Sequence, residues 1–218
     1  MSQVGSIVTP FGPSIYLGTI DEKYIVEMEQ AIEKSRMSPE EYDARATLAG
    51  RIEEQLQILP HVSEACLGHI YSHAHQYMES CGGEPTAVLP DTEIDALWVN
   101  IQRYMETNPW HSHGGLFSFV IFINNELDRE ETINNKYDSA RGTNLAGHLE
   151  FRFGEDAFWN WNSYQLWPER GGIVMFPNWL HHYVHPHYEK DKVRISVAGN
   201  IAQIGIEQRD YIKGYESS

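Results

Sequence analysis

The stretch NPWHSHGGLFSFVIFI, residues 108–123, decides the fold because it joins two histidines to a long apolar run. Residues 116–123 are almost all β-branched, aromatic or otherwise apolar, which is typical of a buried strand. If extended backbone begins at or before His111, the side chains of His111 and His113 leave the same face, because side chains alternate along a strand. Two imidazoles on one face suit a metal ion. Taken alone, the pair is equally compatible with polar residues in a loop flanked by proline and glycine.

A second pair with the same spacing, His73 and His75, lies in the segment SHAHQ. The surrounding pattern is helical, and in a helix residues i and i+2 point about 200° apart, since each residue turns the chain by about 100°. These two side chains cannot chelate one ion together. We interpret them as solvent-facing or interface histidines.

A third histidine-rich stretch, FPNWLHHYVHPHYEKDKVRIS, occupies residues 176–196. Adjacent residues on a strand face opposite ways, so at most one of His181 and His182 can share a face with the first pair. Arg194 and Ser196 are two positions apart in a strand-like segment, which places guanidinium and hydroxyl on one face. Such a pair can bind a carboxylate through charge-assisted hydrogen bonds.

The composition of the chain limits the class of protein and the kinds of partner that it can have. The chain has 218 residues, with 41% hydrophobic and 22% charged residues, which is ordinary for one soluble globular domain. A net charge of -15 and the lack of a basic run argue against a nucleic-acid partner. We find neither a signal-peptide pattern nor an apolar run of the ~20 residues that a membrane span needs, so we expect a cytoplasmic protein with no membrane partner. Cys66 and Cys81 are interpreted as free thiols.

The pattern of apolar and polar residues differs between the first half of the chain and the second. Residues 6–20 predict one or two short strands broken by a turn. Apolar periodicity and end signals then predict three helices, at 21–37, 38–59 and 62–83. From Thr92 onward, alternating and apolar runs predict six or more strands. The expected architecture is a helical first half packed against a β-sandwich or barrel.

Five segments, in this order, resemble the iron(II)- and 2-oxoglutarate-dependent oxygenases, closest to a small bacterial and phage branch related to prolyl hydroxylases. They are WVN at 98–100, HSHGGLFSFVIFI at 111–123, GHLEFRF at 147–153, ERGGIVMFPNWLHHYVHP at 169–186 and RISVAGN at 194–200. The resemblance spans roughly the carboxyl-terminal half, and the helical first half carries no matching motif.

The resemblance implies a mainly β fold with a helical buttress, in which a double-stranded β-helix of the jelly-roll or cupin-like kind follows about three helices. We expect a single oxygenase domain over residues 1–218. Residues 1–91 would supply the first strand and the helical support, and residues 92–210 the β-helix core. The long polar segment 125–147 is interpreted as a possible lid over the substrate.

The resemblance also implies a dioxygenase or hydroxylase that uses Fe(II), 2-oxoglutarate and O₂. Its motif pattern assigns His111 as the first iron ligand, followed two positions later by His113. It assigns His182 as the distal ligand, with His181 facing away. Arg194 takes the place of the arginine that pairs with the distal carboxylate of 2-oxoglutarate, and Ser196 lies beside it.

One departure from the family pattern concerns the third ligand. The common triad is two histidines and one carboxylate, but here the middle position is His113. We rank a three-histidine site first. Alternatively, His113 is the first ligand and Gly115 occupies the acid position, which leaves room for an external anion. A third possibility recruits Glu150 or Asp128 as the carboxylate.

Asn100 and Tyr104 are weaker candidates for contacting 2-oxoglutarate, and they are equally compatible with ordinary polar strand residues. The resemblance leaves the substrate open between a prolyl or other peptide side chain and a small metabolite. Two other functions remain as alternatives. One is a cupin-type metal-dependent dioxygenase or isomerase that does not use 2-oxoglutarate, although Phe117 stands where that motif expects glutamate. The other is a non-enzymatic β-sandwich binding protein with incidental histidines.

Overall fold

The computed structural model describes residues 5–8, 12–134, 145–155 and 162–204, with only the backbone of residue 133. Within these residues, strands and helices follow one another along the chain as β1 Ser6–Val8, β2 Ile15–Thr19, α1 Glu22–Arg36, β3 Glu54–Gln57, α2 Glu64–Ser80, α3 Pro85–Val88, β4 Thr92–Gln102, β5 Asn108–His111, β6 Phe117–Asn125, α4 Arg129–Asn134, β7 Leu149–Arg152, β8 Ser163–Leu166, β9 Gly172–Pro177, β10 His181–Val184 and β11 Arg194–Gln203.

These strands form two antiparallel sheets. The major sheet has the order β1-β2-β9-β6-β11-β4-β3, and the minor sheet has the order β5-β10-β7-β8. Strands that neighbour each other in a sheet are distant in sequence, as when β6 lies between β9 and β11. The arrangement is the double-stranded β-helix that the resemblance implied, and the expected mainly β class with a helical buttress is confirmed.

Two apolar cores lie on the two faces of the major sheet. The outer core joins the sheet to α1 and α2 through residues such as Met28, Ile70 and Ile121. The inner core lies between the two sheets and includes Trp98, Phe151 and Phe176. Alternate residues of each central strand therefore face opposite cores, which explains why β6 is largely apolar on both faces. The inner face is also the face that carries the candidate site.

The predicted helices at 21–37 and 62–83 are confirmed as α1 and α2. α2 begins after Ser63, whose Oγ accepts a hydrogen bond from the backbone N–H of Cys66 (3.2 Å). It ends just before Gly82, which has φ +77° and so takes a left-handed conformation that suits glycine. Cys66 is buried, Cys81 is exposed and both are free thiols. No helix among the described residues is long and apolar enough to cross a membrane.

The predicted helix at 38–59 is wrong. Residues 45–47 form a single 3₁₀ turn, and β3 pairs with β4 at the edge of the major sheet. The buried apolar residues of this stretch are Ala44, Ile52, Leu56 and Ile58, whose even spacing fits a strand period of two. Pairing with β4 outweighs the helix propensity of the Glu- and Gln-rich sequence. The first half therefore contributes β1, β2 and β3 to the major sheet as well as the helices.

The pair His73 and His75 lies on α2, as predicted, but the two side chains differ in environment. His73 is buried, and a 2.8 Å hydrogen bond joins its Nδ1 to the hydroxyl of Tyr16. His75 is partly exposed, with its Nδ1 at 3.4 Å from Oε2 of Glu79. The solvent-facing interpretation is therefore wrong for His73. A polar residue on the buried stripe of an amphipathic helix is the signal that was missed.

The predicted lid, residues 125–147, falls partly outside the described residues, which omit 135–144. The described part starts with the end of β6 and continues into the short helix α4. Asp128 precedes this helix, and its Oδ1 accepts a hydrogen bond from the backbone N–H of Glu131 (2.9 Å).

Candidate metal centre and the adjoining pocket

Three histidines converge on the inner side of the minor sheet. His111 ends β5, and His182 lies opposite it in the register of β10. His113 follows in the loop between β5 and β6. One nitrogen from each of the three rings lies within 4.8 Å of the others, so the three atoms could ligate a common ion. The ring centroids of His111 and His182 are 4.1 Å apart. The structure thus brings together the three residues that the sequence selected.

Backbone carbonyl groups fix the orientation of two of these rings. Nδ1 of His111 donates to the carbonyl oxygen of Pro109 (2.6 Å), and Nδ1 of His182 donates to that of Leu180 (3.0 Å). Because a carbonyl oxygen can only accept, each Nδ1 must carry the proton. The Nε2 lone pairs are then available to a metal, which is the usual role of such outer hydrogen bonds.

The protonation state of the three histidines suits the binding of a cation. Burial, and after it the neighbouring His111, together lower the pKa of His113 to about 3. Burial likewise lowers the pKa of His111, and it lowers that of His182 well below its usual value. All three imidazoles are therefore neutral near pH 7, so their lone pairs are free without loss of protons.

Asn178 holds the loop that carries His113. The backbone N–H of His113 donates to the carbonyl oxygen of Asn178 (2.8 Å), and Nδ2 of Asn178 donates back to the carbonyl oxygen of His113 (2.8 Å). The backbone N–H of Asn178 also reaches the carbonyl oxygen of Leu116 (3.3 Å). Gly115 has φ +107°, and a Cβ there would lie 3.1 Å from the carbonyl oxygen of Ile201. An acidic side chain at position 115 would therefore strain this turn.

Glu150 belongs to a different network from the three histidines. On β7 it lies opposite Tyr183, whereas its neighbour Phe151 lies opposite His182, so strand alternation directs Glu150 to the other face of the sheet. Its carboxylate accepts hydrogen bonds from His185 Nε2 (2.7 Å) and Ser163 Oγ (2.5 Å). Burial raises the pKa of Glu150, but these two bonds, together with the nearby charge of Arg152, more than compensate and lower it to about 2. Both Glu150 and the helix-capping Asp128 are thus engaged elsewhere.

A second part of the site lies on the inner face of β4 and β11. Arg194 pairs with Gln102 and Ser196 pairs with Asn100, so all four side chains leave the same face. The guanidinium of Arg194 is fully buried, and its Nη1 donates to Oε1 of Gln102 (3.4 Å). Its Nε and Nη2 have no hydrogen-bond partner among the described residues.

Arg194 carries a buried charge that nothing in the described part of the chain neutralises. Desolvation lowers its pKa to about 10, so the guanidinium stays protonated near neutral pH. An unpaired buried charge costs several kcal/mol in a folded protein. Two free N–H groups and an uncompensated positive charge together indicate a site for an anion such as a carboxylate.

The two parts meet in one cavity between the sheets. Its lining includes the three histidines together with Asn100 and Ser196. Oδ1 of Asn100 accepts a hydrogen bond from Nε2 of Gln55 (2.7 Å), which fixes the amide. Tyr104 does not join this group: it lies beyond the end of β4, its side chain is 41% exposed, and the ammonium of Lys190 lies 5.7 Å from its ring centroid. Tyr104 lies outside the cavity because β4 ends at Gln102, so strand alternation no longer applies, and its contact with a cosubstrate stays a prediction.

Two residues of the site were missed in the sequence. Asn178 and Gln102 act through hydrogen bonds to residues far away in the chain, which no local pattern encodes. Asn178 had one available signal, because it lies in the segment FPNWLHH just before the distal histidine. Gln102 had another, since it lies at an even spacing from Trp98 and Asn100 on the inner face of β4.

Comparisons with known proteins agree with this geometry. A family model described as "Putative 2OG-Fe(II) oxygenase" matches residues 96–200, a range that contains the three histidines and Arg194. No curated protein matches the chain.

The solved structures that share the fold include three prolyl hydroxylases. A prolyl-4-hydroxylase from Pseudomonas putida is 14% identical with a TM-score of 0.58, and the match covers 88% of this chain and 93% of that chain. A viral collagen prolyl hydroxylase from Paramecium Bursaria Chlorella virus-1, in complex with 2OG, is 11% identical with a TM-score of 0.53 and coverages of 91% and 96%. A prolyl hydroxylase from Trichoplax adhaerens, in complex with a hypoxia inducible factor peptide fragment, is 14% identical with a TM-score of 0.50 and coverages of 90% and 83%.

The family match separates the three functions that the sequence left open. It favours the oxygenase interpretation over a cupin-type enzyme that ignores 2-oxoglutarate and over a non-enzymatic binding protein. The solved structures add the shared fold, and the histidine cluster adds a donor set that suits iron.

Proposed function

We propose that this chain, a 2OG-Fe(II) oxygenase related to prolyl hydroxylases, binds Fe(II) through His111, His113 and His182 and hydroxylates a side chain of a peptide. Membership of the family implies Fe(II), 2-oxoglutarate and O₂ as cofactor and cosubstrates. The observation that carries the proposal is the position of three neutral imidazoles in the same cavity as Ser196, which shares a strand face with a buried, unpaired Arg194.

The donor set fits iron. Imidazole nitrogen is a good ligand for Fe(II), and three protein ligands leave positions for a chelating 2-oxo acid and for dioxygen. When bound, Fe(II) supplies the activation of O₂ that is coupled to oxidation of 2-oxoglutarate, and the chemistry itself belongs to the cofactor. Because all three ligands are neutral, the site keeps the full charge of the metal, which favours the carboxylate of the 2-oxo acid.

The chain's own residues would orient the cosubstrate. In this account Arg194 binds the distal carboxylate through Nε and Nη2, and Ser196 adds a hydroxyl donor from the same face of β11. Asn100 lies on the neighbouring strand and lines the same cavity. A ligand bound at both ends in this way is held in one orientation, which is the main contribution that a protein makes to such a reaction.

Aromatic side chains would keep water away from the metal. The rings of Phe151 and Phe176 lie 6.1 Å and 4.8 Å from the ring of His182, measured between centroids. The ring of Trp98 lies 5.9 Å from that of His113. A pocket walled by apolar rings strengthens electrostatic interactions inside it and protects reactive species from solvent.

The proposed peptide substrate is supported by two exposed aromatic residues next to the ligand-bearing strand ends, which we call the aromatic rim: Phe153 and Trp179. Trp179 lies in the turn that leads to β10. Phe153 follows β7, with its ring 5.8 Å from that of Trp179. Exposed aromatic rings of this kind bind extended, proline-containing peptides well.

Turnover of 2-oxoglutarate tests the cosubstrate assignment. The Fe(II)-loaded protein should convert 2-oxoglutarate to succinate, slowly without a primary substrate. Arg194→Met should weaken 2-oxoglutarate binding by about a hundredfold or more, because two charge-assisted hydrogen bonds are lost at roughly 1.5–3 kcal/mol each. The number of metal ions bound per chain should stay the same. Normal binding of 2-oxoglutarate by this variant would contradict the proposed clamp.

A peptide panel tests the substrate assignment. Proline-containing peptides should accelerate succinate formation, and Trp179→Ala should raise the peptide concentration needed without changing the affinity for 2-oxoglutarate. If small metabolites accelerated turnover and no peptide did, the peptide assignment would be wrong.

We also propose that residues 1–218 act as one oxygenase domain in the cytoplasm. The single domain is supported by β1, β2 and β3, which complete both edges of the sheet whose centre lies within residues 92–210. The location is supported by the two free thiols, Cys66 and Cys81, which suit a reducing compartment.

A further inference from the structure

Gln102 lies at the end of β4, opposite Arg194, and its side chain is fully buried. Its Nε2 donates to two carbonyl oxygens, those of Glu106 (2.6 Å) and His185 (2.9 Å). Because carbonyl oxygens only accept, the amino end of this amide must face them and cannot exchange places with the oxygen. Oε1 is therefore held towards Arg194, where it accepts from Nη1 (3.4 Å).

This contact determines which edge of the guanidinium remains free. Gln102 engages Nη1, whereas Nε and Nη2 of Arg194 share one edge and have no partner among the described residues. The Nε–Nη2 edge is the one to which a carboxylate binds side-on through two parallel hydrogen bonds. An arginine with no such contact could rotate and present another edge, since its side chain has several rotatable bonds.

We propose that Gln102 is a positioning residue for the cosubstrate, because it fixes Arg194 with the Nε–Nη2 edge presented to the distal carboxylate of 2-oxoglutarate. The inference rests on the proposed function and deepens it. Gln102 does not touch the cosubstrate and acts only through the guanidinium. The preference for 2-oxo diacids over 2-oxo monoacids therefore depends on Gln102.

The test compares two ligands that differ only in the distal carboxylate. Binding of 2-oxoglutarate and of 2-oxopentanoate is measured calorimetrically on the full chain loaded with Mn(II), which occupies the site without turnover. Gln102→Met keeps the length of the side chain and removes both the acceptor and the donors. We expect binding of 2-oxoglutarate to weaken by about three- to tenfold, in line with one lost hydrogen bond. Binding of 2-oxopentanoate should not change.

A matched control separates positioning from a structural role. Oγ1 of Thr107 donates to the carbonyl oxygen of Val184 (2.8 Å), and this bond joins the β4–β5 connection to β10. It resembles the bond from Nε2 of Gln102 to the carbonyl oxygen of His185. Thr107→Val removes a tie of this kind without touching Arg194. This variant should bind both acids as the wild type does. If it weakened 2-oxoglutarate binding as much as Gln102→Met, the inference would be overturned.

A double-mutant cycle with Arg194→Met completes the test. In the Arg194→Met background, Gln102→Met should cause no further loss of 2-oxoglutarate binding. Gln102→Leu serves as a second variant if Gln102→Met does not fold, as judged by its thermal transition. Unchanged 2-oxoglutarate binding in both Gln102 variants, or an equal loss for both acids, would overturn the inference while leaving the Arg194 clamp intact. Unchanged binding in Arg194→Met would overturn the clamp and the inference together.

Discussion

The molecule contains two His-x-His pairs, one on a helix and one in an extended segment. His73, on α2, is buried, and desolvation lowers its pKa to about 4. His113, next to the major sheet, has a pKa of about 3 for the same main reason. In the helix, the second member of the pair, His75, faces away to Glu79. In the extended segment, His111 and His113 converge and are joined by His182 from another strand.

The difference shows that burial and a low pKa do not identify a metal site. Nδ1 of His73 is bonded to the hydroxyl of Tyr16, which ties α2 to β2, so the ring serves the outer core. The rings of His111 and His182 are instead bonded to nearby backbone carbonyls, which leaves the opposite nitrogens free. The candidate centre is marked by the convergence of free nitrogens from separate strands. Two histidines that are two residues apart in sequence can converge in this way only if the backbone between them is extended.

The largest expected effect separates the two pairs by substitution. His182→Ala should weaken binding of Fe(II) or Co(II) by more than about a hundredfold, since loss of even an outer-shell partner costs 10–100-fold. His73→Ala should leave metal binding unchanged but destabilise the fold by roughly 2–4 kcal/mol, because it empties a buried position. Metal titration of both variants would measure the loss of metal affinity, and chemical denaturation would measure the loss of stability.

His181→Ala is the matched control within β10. It removes the exposed neighbour of His182 and should leave metal affinity intact, because adjacent strand residues face opposite sides. Equal losses in the two variants would mean that the assigned register of the ligand strand is wrong. If His73→Ala lost metal affinity, the proposed difference between the two histidine pairs would be wrong.

A smaller effect is expected from the loop that makes His111 and His113 converge. Asn178→Leu keeps the approximate volume and removes the Nδ2 donor to His113. Metal binding should weaken by about tenfold, with a change in the visible spectrum of bound Co(II), because His113 is no longer held in place. Asn125→Leu is the control, since Nδ2 of Asn125 also donates to a loop carbonyl, that of Pro168 (3.0 Å). Equal metal affinity in both variants would remove Asn178 from the site.

The smallest expected effect concerns Glu150, the carboxylate that the sequence offered as a third ligand. Glu150→Gln should leave metal stoichiometry unchanged and reduce stability by about 1–3 kcal/mol near neutral pH, because a buried charge-assisted network is weakened. The folded-state pKa of about 2 lies below the usual 4.5, so the carboxylate stabilises the fold above about pH 4.5. Denaturation at several pH values should show the difference between wild type and variant shrinking as pH falls towards 2. Loss of metal binding in this variant would instead restore Glu150 as a ligand.

Strand alternation explains how much of the site could be predicted from the sequence. The shared face of Arg194 and Ser196, and the choice of His182 over His181, both follow from a period of two combined with the family pattern. The same rule does not extend to Tyr104, because β4 ends two residues earlier. The helix predicted at 38–59 was wrong, because glutamate and glutamine gave a helical pattern to residues that pair at a sheet edge.

Contacts between distant parts of the chain account for the rest. Gln102 reaches His185, and Asn178 reaches His113, through hydrogen bonds that depend on the closed arrangement of the two sheets. Local periodicity carries no information about such partners. Sequence patterns could therefore indicate which residues bind, but not which residues hold the binding groups in place.

The most direct test of the central claim is the absorbance of the purified protein after anaerobic addition of Fe(II) and then 2-oxoglutarate. Chelation of the 2-oxo acid by iron held on the three histidines should give a visible charge-transfer band in the wild type and none in His182→Ala. A folded wild type that shows no band, or a His182→Ala variant that shows the same band, would contradict the account.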